Sequence, residues 1–263
     1  MKIETSKWLL SIICLTVTVS SFSASSHQQT SIAKDNGSHI EWILAGGVAG
    51  VHTRDSQMQV TSTEIDTLDQ TNSYRWDNAT GQLGLGYVYY MVDGPRISED
   101  LRWFPTVEPM LNLYYSNLDV KGDVYRFKSV FLNDLDYKTT IRNTRLMLDV
   151  ALTIVSKCKY SLYGVLGIGE GWSRLSYRDY AGSTTRLNLN TENENNVVWN
   201  IGAGAAYAFN QSVNVSLEYV WTDLGRMQTS SRGATGNIVN PQLVGANFQV
   251  TTQAIMLGFH IAL

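Results

Sequence analysis

Glu108, Arg145, Asp149, Glu218 and His260 each sit in a stretch where large apolar residues recur at every second position. Alternation of period two sends neighbouring side chains to opposite faces of a strand. All five therefore lie on the face opposite the apolar one. Carboxylates, a guanidinium and an imidazole sharing a narrow inner face must be paired or hydrated. Paired, they make a salt-bridged plug that stiffens the structure. Hydrated, they make a polar path or gate for small solutes, with Arg145 as its cation. Catalysis would need a nucleophile and a base within reach of each other. Neither His52-Thr-Arg-Asp55 nor His260-Ile-Ala-Leu263 supplies a histidine–serine pair, and Asp55 with His52 is the nearest acid–histidine pair. There is no phosphate-cradling loop and no metal cluster. The residues point to no enzyme, no cofactor and no metal, and His260 reads as a buried, hydrogen-bonded histidine.

The elements that carry these residues are strands. In Gln253–Leu263, Ile255, Leu257, Phe259, Ile261 and Leu263 alternate with Ala254, Met256, Gly258, His260 and Ala262. Seven similar stretches precede it: Trp42–Thr53, Gly81–Val92, Trp103–Ser116, Ile141–Ile154, Tyr160–Ser173, Val197–Phe209, and one opening at Val213. The facing of Tyr160–Ser173 is open, because Leu162, Leu166 and Ile168 compete with Tyr163 and Val165. Pro105 and Pro109 weaken the third strand, since proline cannot donate to a ladder. Polar stretches Arg54–Ala79, Asn117–Thr139, Arg174–Glu194 and Arg226–Ala246 read as long loops, and the other three connections are short.

The composition suits this pattern. Charged residues make up 16% of the 263 residues, against about 25% in an average soluble domain. A formal net charge of -3 offers nothing to nucleic acid. Lys2 and Lys7 precede an apolar run, Trp8–Val19, and small residues follow, so residues 1–25 read as a signal peptide cleaved after Ser23 or Ser25. Cys14 leaves with it, and Cys158 remains as a lone thiol. Residues 26–39 form a flexible lead-in, and 40–263 form one domain.

Eight alternating strands joined by alternating short and long connections predict an all-β, eight-stranded antiparallel up-and-down transmembrane β-barrel. Closure removes every unpaired edge, as a bilayer demands. Trp42, Phe104, Phe209 and Phe259 fall near the short-turn rim, and Tyr115, Trp172, Trp199 and Trp221 near the other. Two aromatic girdles are a feature of such barrels.

The chain resembles the eight-stranded outer-membrane proteins of the OmpA/OmpX or opacity type from Gram-negative bacteria. The resemblance rests on Leu85-Gly-Tyr87, Leu162-Tyr-Gly-Val-Leu-Gly-Ile-Gly169, Leu217-Glu-Tyr-Val-Trp-Thr-Asp-Leu224 and the closing strand. It implies an outer-membrane location, short periplasmic turns, long extracellular loops and insertion by the barrel assembly machinery. The family usually ends on an aromatic residue, where this chain has Leu263 with Phe259 four positions back. The resemblance also implies a monomer with a structural or surface role: envelope integrity, adhesion or contact with host surface molecules. The alternative is a narrow porin-like channel, and a lipid-modifying enzyme ranks third. Arg75, Lys121, Arg126, Lys128, Lys138, Arg142, Arg174, Arg178 and Arg186 gather toward the long-loop side. Among them Arg142 and Arg174, at strand ends, are placed to meet lipopolysaccharide phosphates.

Overall fold

The computed structural model describes residues 38–59, 65–91, 96–98, 101–182, 184–189, 193–229 and 245–263. The expected signal peptide, all but the end of the expected lead-in, and most of the last loop lie outside the described residues. So do residues 93–95 in the first short turn and the Arg186 side chain.

Twelve strands lie among the described residues: β1 (His39–Gln59), β2 (Ile65–Gln70), β3 (Asn78–Tyr90), β4 (Arg96–Ser98), β5 (Leu101–Trp103), β6 (Thr106–Tyr125), β7 (Asn133–Lys157), β8 (Tyr160–Ala181), β9 (Thr184–Leu189), β10 (Asn193–Ala208), β11 (Val213–Gln228) and β12 (Gly245–Ala262). Eight of them close a ring in the order β6, β3, β1, β12, β11, β10, β8, β7 and back to β6, every neighbour antiparallel. The predicted eight-stranded up-and-down barrel is therefore the fold. Its seam joins the ends of the chain: β12 pairs with β1 from Ala262↔Glu41 to Gly245↔Gln59, with a register shift between Arg54 and Gln57. The minor strands trim the rims. β2 bridges β1 and β6, β9 extends β8, and β5 lies on the foot of β7 with β4 beside it. The third predicted strand thus divides. Leu101–Trp103 belongs to the small β4–β5 hairpin, and the ring strand begins at Thr106.

Around the turn end the outward residues are large, apolar and exposed. Trp42, Leu44 and Val48 on β1 meet Ile255, Leu257, Phe259 and Ile261 on β12, and Leu146, Leu148 and Val150 on β7 meet Leu162, Leu166 and Ile168 on β8. This settles the facing of β8, with Tyr163 and Val165 turned inward and buried. A soluble monomer rarely exposes an apolar patch beyond a few hundred Å². A continuous apolar belt on a closed ring is the lipid-facing wall of a membrane-spanning barrel. Among the described residues no helix is long and apolar enough to cross a membrane.

Above the belt the pattern inverts. On β6, Leu111, Leu113 and Tyr115 point out, whereas Leu118, Val120 and Val124 point in and are fully buried. On β7, Leu135, Tyr137 and Ile141 point in before Leu146, Leu148 and Val150 point out. Leu175, Tyr177, Leu187, Leu189, Met58, Leu224, Met227, Phe248 and Val250 complete one core. The rings of Tyr137 and Tyr177 stack at 5.8 Å. Because the apolar set slips by one position, polar side chains face outward and the stretch looks aperiodic. This is why Asn117–Thr139 and Arg174–Glu194 read as loops while strand continues through most of both. The tip of the β6–β7 hairpin shrinks to residues 126–132, including a 3-10 turn at Arg126–Lys128. About ten residues of β1, β6, β7, β8 and β12 rise past the belt on this side, roughly 25 Å of tilted wall.

Leu118→Ala should lower unfolding free energy by about 2–5 kcal/mol, while Asn117→Ala, one position along and outward, should change it little. Urea titration of the folded barrel in detergent measures both, and equal costs would contradict the inverted interior.

Candidate functional site

Three levels of polar chemistry are built by the barrel. The middle one centres on Asp149, which is 1% exposed. Its carboxylate accepts hydrogen bonds from Asn112 Nδ2 (2.6 Å) and Tyr114 Oη (2.8 Å) on β6, and from Asn200 Nδ2 (3.0 Å) on β10. Asn200 reaches it across β8 because residue 167 is glycine: a Cβ there would overlap Asp149 Oδ1. Arg145 lies over the Tyr114 ring at 4.6 Å. Its Nη1 donates to Ser116 Oγ (3.4 Å) and Asn143 Oδ1 (3.2 Å). The anticipated pairing of Arg145 with an acid is thus relayed: guanidinium on ring, ring hydroxyl on Asp149. Above this level stands the apolar core.

The second level lies at the turn end. His260 Nδ1 contacts Glu41 Oε1 at 2.5 Å, and its Nε2 is 3.2 Å from Ser216 Oγ. Glu108 Oε1 is 3.9 Å from the same Nδ1, and Glu41 Oε2 is 3.9 Å from His39 Nε2. Glu41 and Glu108 stand on strands separated by β3, and they meet because Gly86 lies between them: a Cβ at Gly86 would strike Glu108 Oε1. Tyr163 Oη donates to Glu218 at 3.0 Å. Ser216, His260 and Glu41 follow the order of nucleophile, base and orienting acid. Ser216 is only 4% exposed, however, and its Oγ packs against Gly258. The flanking strands run in continuous ladders through this level, leaving no free amide pair among the described residues to hold an oxyanion.

The third level is on the outer wall, one step above the girdle residue Trp172. Arg142 stands directly opposite Arg174, and Lys138 opposite Arg178, with Thr140 opposite Ser176 between them. These six side chains and Tyr180 line an open groove of about 520 Å³. Arg174 Nε donates to Asn193 Oδ1 (2.8 Å) and Arg178 Nε to Asn188 Oδ1 (3.2 Å), which holds both guanidinium groups along the wall. Lys138 Nζ is 3.0 Å from Asp119 Oδ2, and Thr140 Oγ1 donates to Asp119 Oδ1 at 2.8 Å. Partial burial works against the Asp119 charge, yet the Lys138 and Thr140 hydrogen bonds and the charges of Lys138 and Lys121 outweigh it and hold the carboxyl below its ordinary value.

Trp42, Phe104, Phe209 and Phe259 are exposed at the turn end, and Tyr115, Trp172 and Trp199 at the other edge of the belt. Trp221 is half-buried against Trp199, ring centroids 4.8 Å apart. The residues that sequence reasoning did not single out are the inward partners: Glu41, Ser216, Asn112, Asn143, Asn200 and Tyr163. Glu41 had a visible signal, since Trp42 and Leu44 point outward and so leave position 41 inward. Asn112 and Asn200 had the same signal, each lying between outward apolar residues, whereas Asn143, between Arg142 and Thr144, had none.

No known family and no curated protein matches the sequence. Solved structures do. The chain is similar to the outer-membrane protease OmpT of Escherichia coli, at 10% identity over 86% of this chain and 97% of that one, with a TM-score of 0.44. It is similar to the outer-membrane protein OprG of Pseudomonas aeruginosa, at 14% identity over 86% and 97%, TM-score 0.41. It is also similar to Neisserial surface protein A, at 12% identity over 85% and 97%, TM-score 0.34.

Arg145→Ala should leave the conductance of a planar bilayer at its baseline, because the apolar core closes the interior above it. It should still destabilise the barrel by about 3–5 kcal/mol, the cost of breaking a buried charged network. Discrete channel openings in the variant would overturn this account.

Proposed function

We propose that this chain is an outer-membrane barrel that anchors in lipopolysaccharide and carries a raised crown of strands for surface interaction. One observation carries the anchoring: two like-charged cross-strand pairs, Arg142/Arg174 and Lys138/Arg178, stacked on the outer wall at the lipid edge. Like charges directly opposite on a sheet destabilise it. Asp119 meets Lys138 from within the chain, so the Arg142/Arg174 pair carries the reading, and an anion outside the chain would balance its charge. Arginine forks match phosphate oxygens two at a time. A phosphorylated glycolipid packed against the belt presents such groups at this height. The orientation that follows puts the short turns in the periplasm and the crown outside the cell.

The surface role is supported by the tip of the β6–β7 hairpin. Phe127, Val130, Phe131 and Leu132 are all exposed there, Phe131 at 92%. Phe127 and Lys128 adopt left-handed φ values of 52° and 58°, a conformation that costs a non-glycine residue energy. Apolar side chains held out at the end of a tall hairpin suit an apolar patch on another surface. The apolar core weighs against the channel alternative, and the buried Ser216 weighs against an enzyme.

Replacing Arg142 and Arg174 together with alanine should lower the melting temperature in membranes containing lipopolysaccharide by several degrees, and leave it unchanged in neutral detergent. An equal shift in both media would count against the anchoring. Phe127→Ser with Phe131→Ser should reduce attachment of expressing cells to host-cell surfaces severalfold at equal surface display. Undiminished attachment would remove the tip from the surface role.

A further inference from the structure

We propose that Glu41, Glu108 and His260 form a binding site for one divalent transition-metal cation of the zinc class, at the turn end of the barrel interior. The three side chains come from β1, β6 and β12, and each offers a ligand atom within 4.8 Å of the other two. Residues far apart in the chain converge here because the ring brings their strands round and because Gly86 clears the space between the carboxylates.

Charge is the second line of argument. Glu41 is 1% exposed, and the Glu41 and Glu108 side chains are 2% and 15% exposed. Glu218 adds a third carboxyl from β11, held by Tyr163. The buried guanidinium of Arg145 is committed one level up to Tyr114, Ser116 and Asn143. Among the described residues, His39 and His260 are the groups that face the acids at this level with a positive charge to offer. Glu108 Oε1 is buried and accepts no hydrogen bond. A buried oxygen without a donor, beside a second carboxyl group and an imidazole nitrogen, is placed to meet a cation.

The donor set selects the ion. One imidazole nitrogen and two carboxylate oxygens suit zinc and its neighbours, with a water in the fourth position. Calcium and magnesium prefer shells made wholly of oxygen. Ser216 Oγ on Nε2 turns the imidazole so that Nδ1 faces the carboxylates, the outer support that metal-binding histidines commonly have. Metal ligands must be deprotonated to bind, so affinity falls as pH drops. The bound ion would tie the seam strands β1 and β12 to β6 across the interior.

The test uses the whole mature chain folded in detergent, with Co²⁺ as a coloured probe and Zn²⁺ as competitor. The expected result is one Co²⁺ per barrel with visible ligand-field bands, displaced by Zn²⁺, and a raised melting temperature with Zn²⁺ at neutral pH. Glu41→Gln, Glu108→Gln and His260→Ala should each weaken binding by at least about tenfold. His52→Ala, at the loop end, should not. Heat-modifiable gel migration checks that each variant is folded. If a variant does not fold, nitrogen hyperfine coupling to Cu²⁺ in the wild type decides: one coordinated imidazole supports the site, and none overturns it. Absence of stoichiometric binding, or binding unaffected in all three variants, also overturns it and leaves the cluster an ion-paired plug.

Discussion

The wall of this barrel passes from lipid into water partway along most of its strands, and the rest of the structure follows from that change of solvent. Apolar side chains leave water wherever they can. Beside lipid, the outward face is the apolar one and the polar groups are left inside. Beyond the lipid, the outward face must be polar, and the apolar set turns inward. On β6 the boundary falls between Tyr115, which points out at the edge of the belt, and Leu118, which points in. The result is two barrels in one ring, a polar-cored one in the membrane and an apolar-cored one above it.

The two interiors have different requirements. The upper one is mostly apolar and stabilises by burial, like a soluble domain, although Asp66 and Asp179 are buried in it. The lower one contains Glu41, Glu108, Asp149 and Glu218 against the buried Arg145, and each charge must be met individually. Asp149 is satisfied by three neutral donors, so it needs no ion pair. That frees Arg145 to bind Tyr114 and the hydroxyl and amide above it. The acids at the turn end have no such set of donors, which leaves imidazoles, protons and cations to balance them. Glycines 86 and 167 make both arrangements possible by admitting carboxylates where a Cβ would stand.

The outer wall repeats the contrast. Facing lipid it carries hardly any charge, and a single step above Trp172 it carries a ladder of cations. A strand pair that spent stability on opposed arginines within the water layer would have no internal reason to keep them. Asp119 meets Lys138 from within the chain, and asparagine amides hold Arg174 and Arg178; the proposed lipid phosphates would balance the charge that remains.

Period-two alternation determined from the sequence alone that the chain is all-β, that it has eight ring strands, and, on every strand but Tyr160–Ser173, which residues of the membrane zone face lipid. Alternation is a local property, and each lipid-facing strand displays it by itself. The inward placement of Glu108, Arg145, Asp149, Glu218 and His260 was legible for the same reason. The upper strands were not, because the apolar residues change phase at Leu118 and Ile141 and the two phases cancel in a single reading. Only the closed ring decided which charges meet. Glu41 and His260 are neighbours through the seam between the first and last strands, and Glu108 joins them across a glycine on a third strand. Contacts of that kind depend on strand order and register, which no stretch of sequence carries within itself.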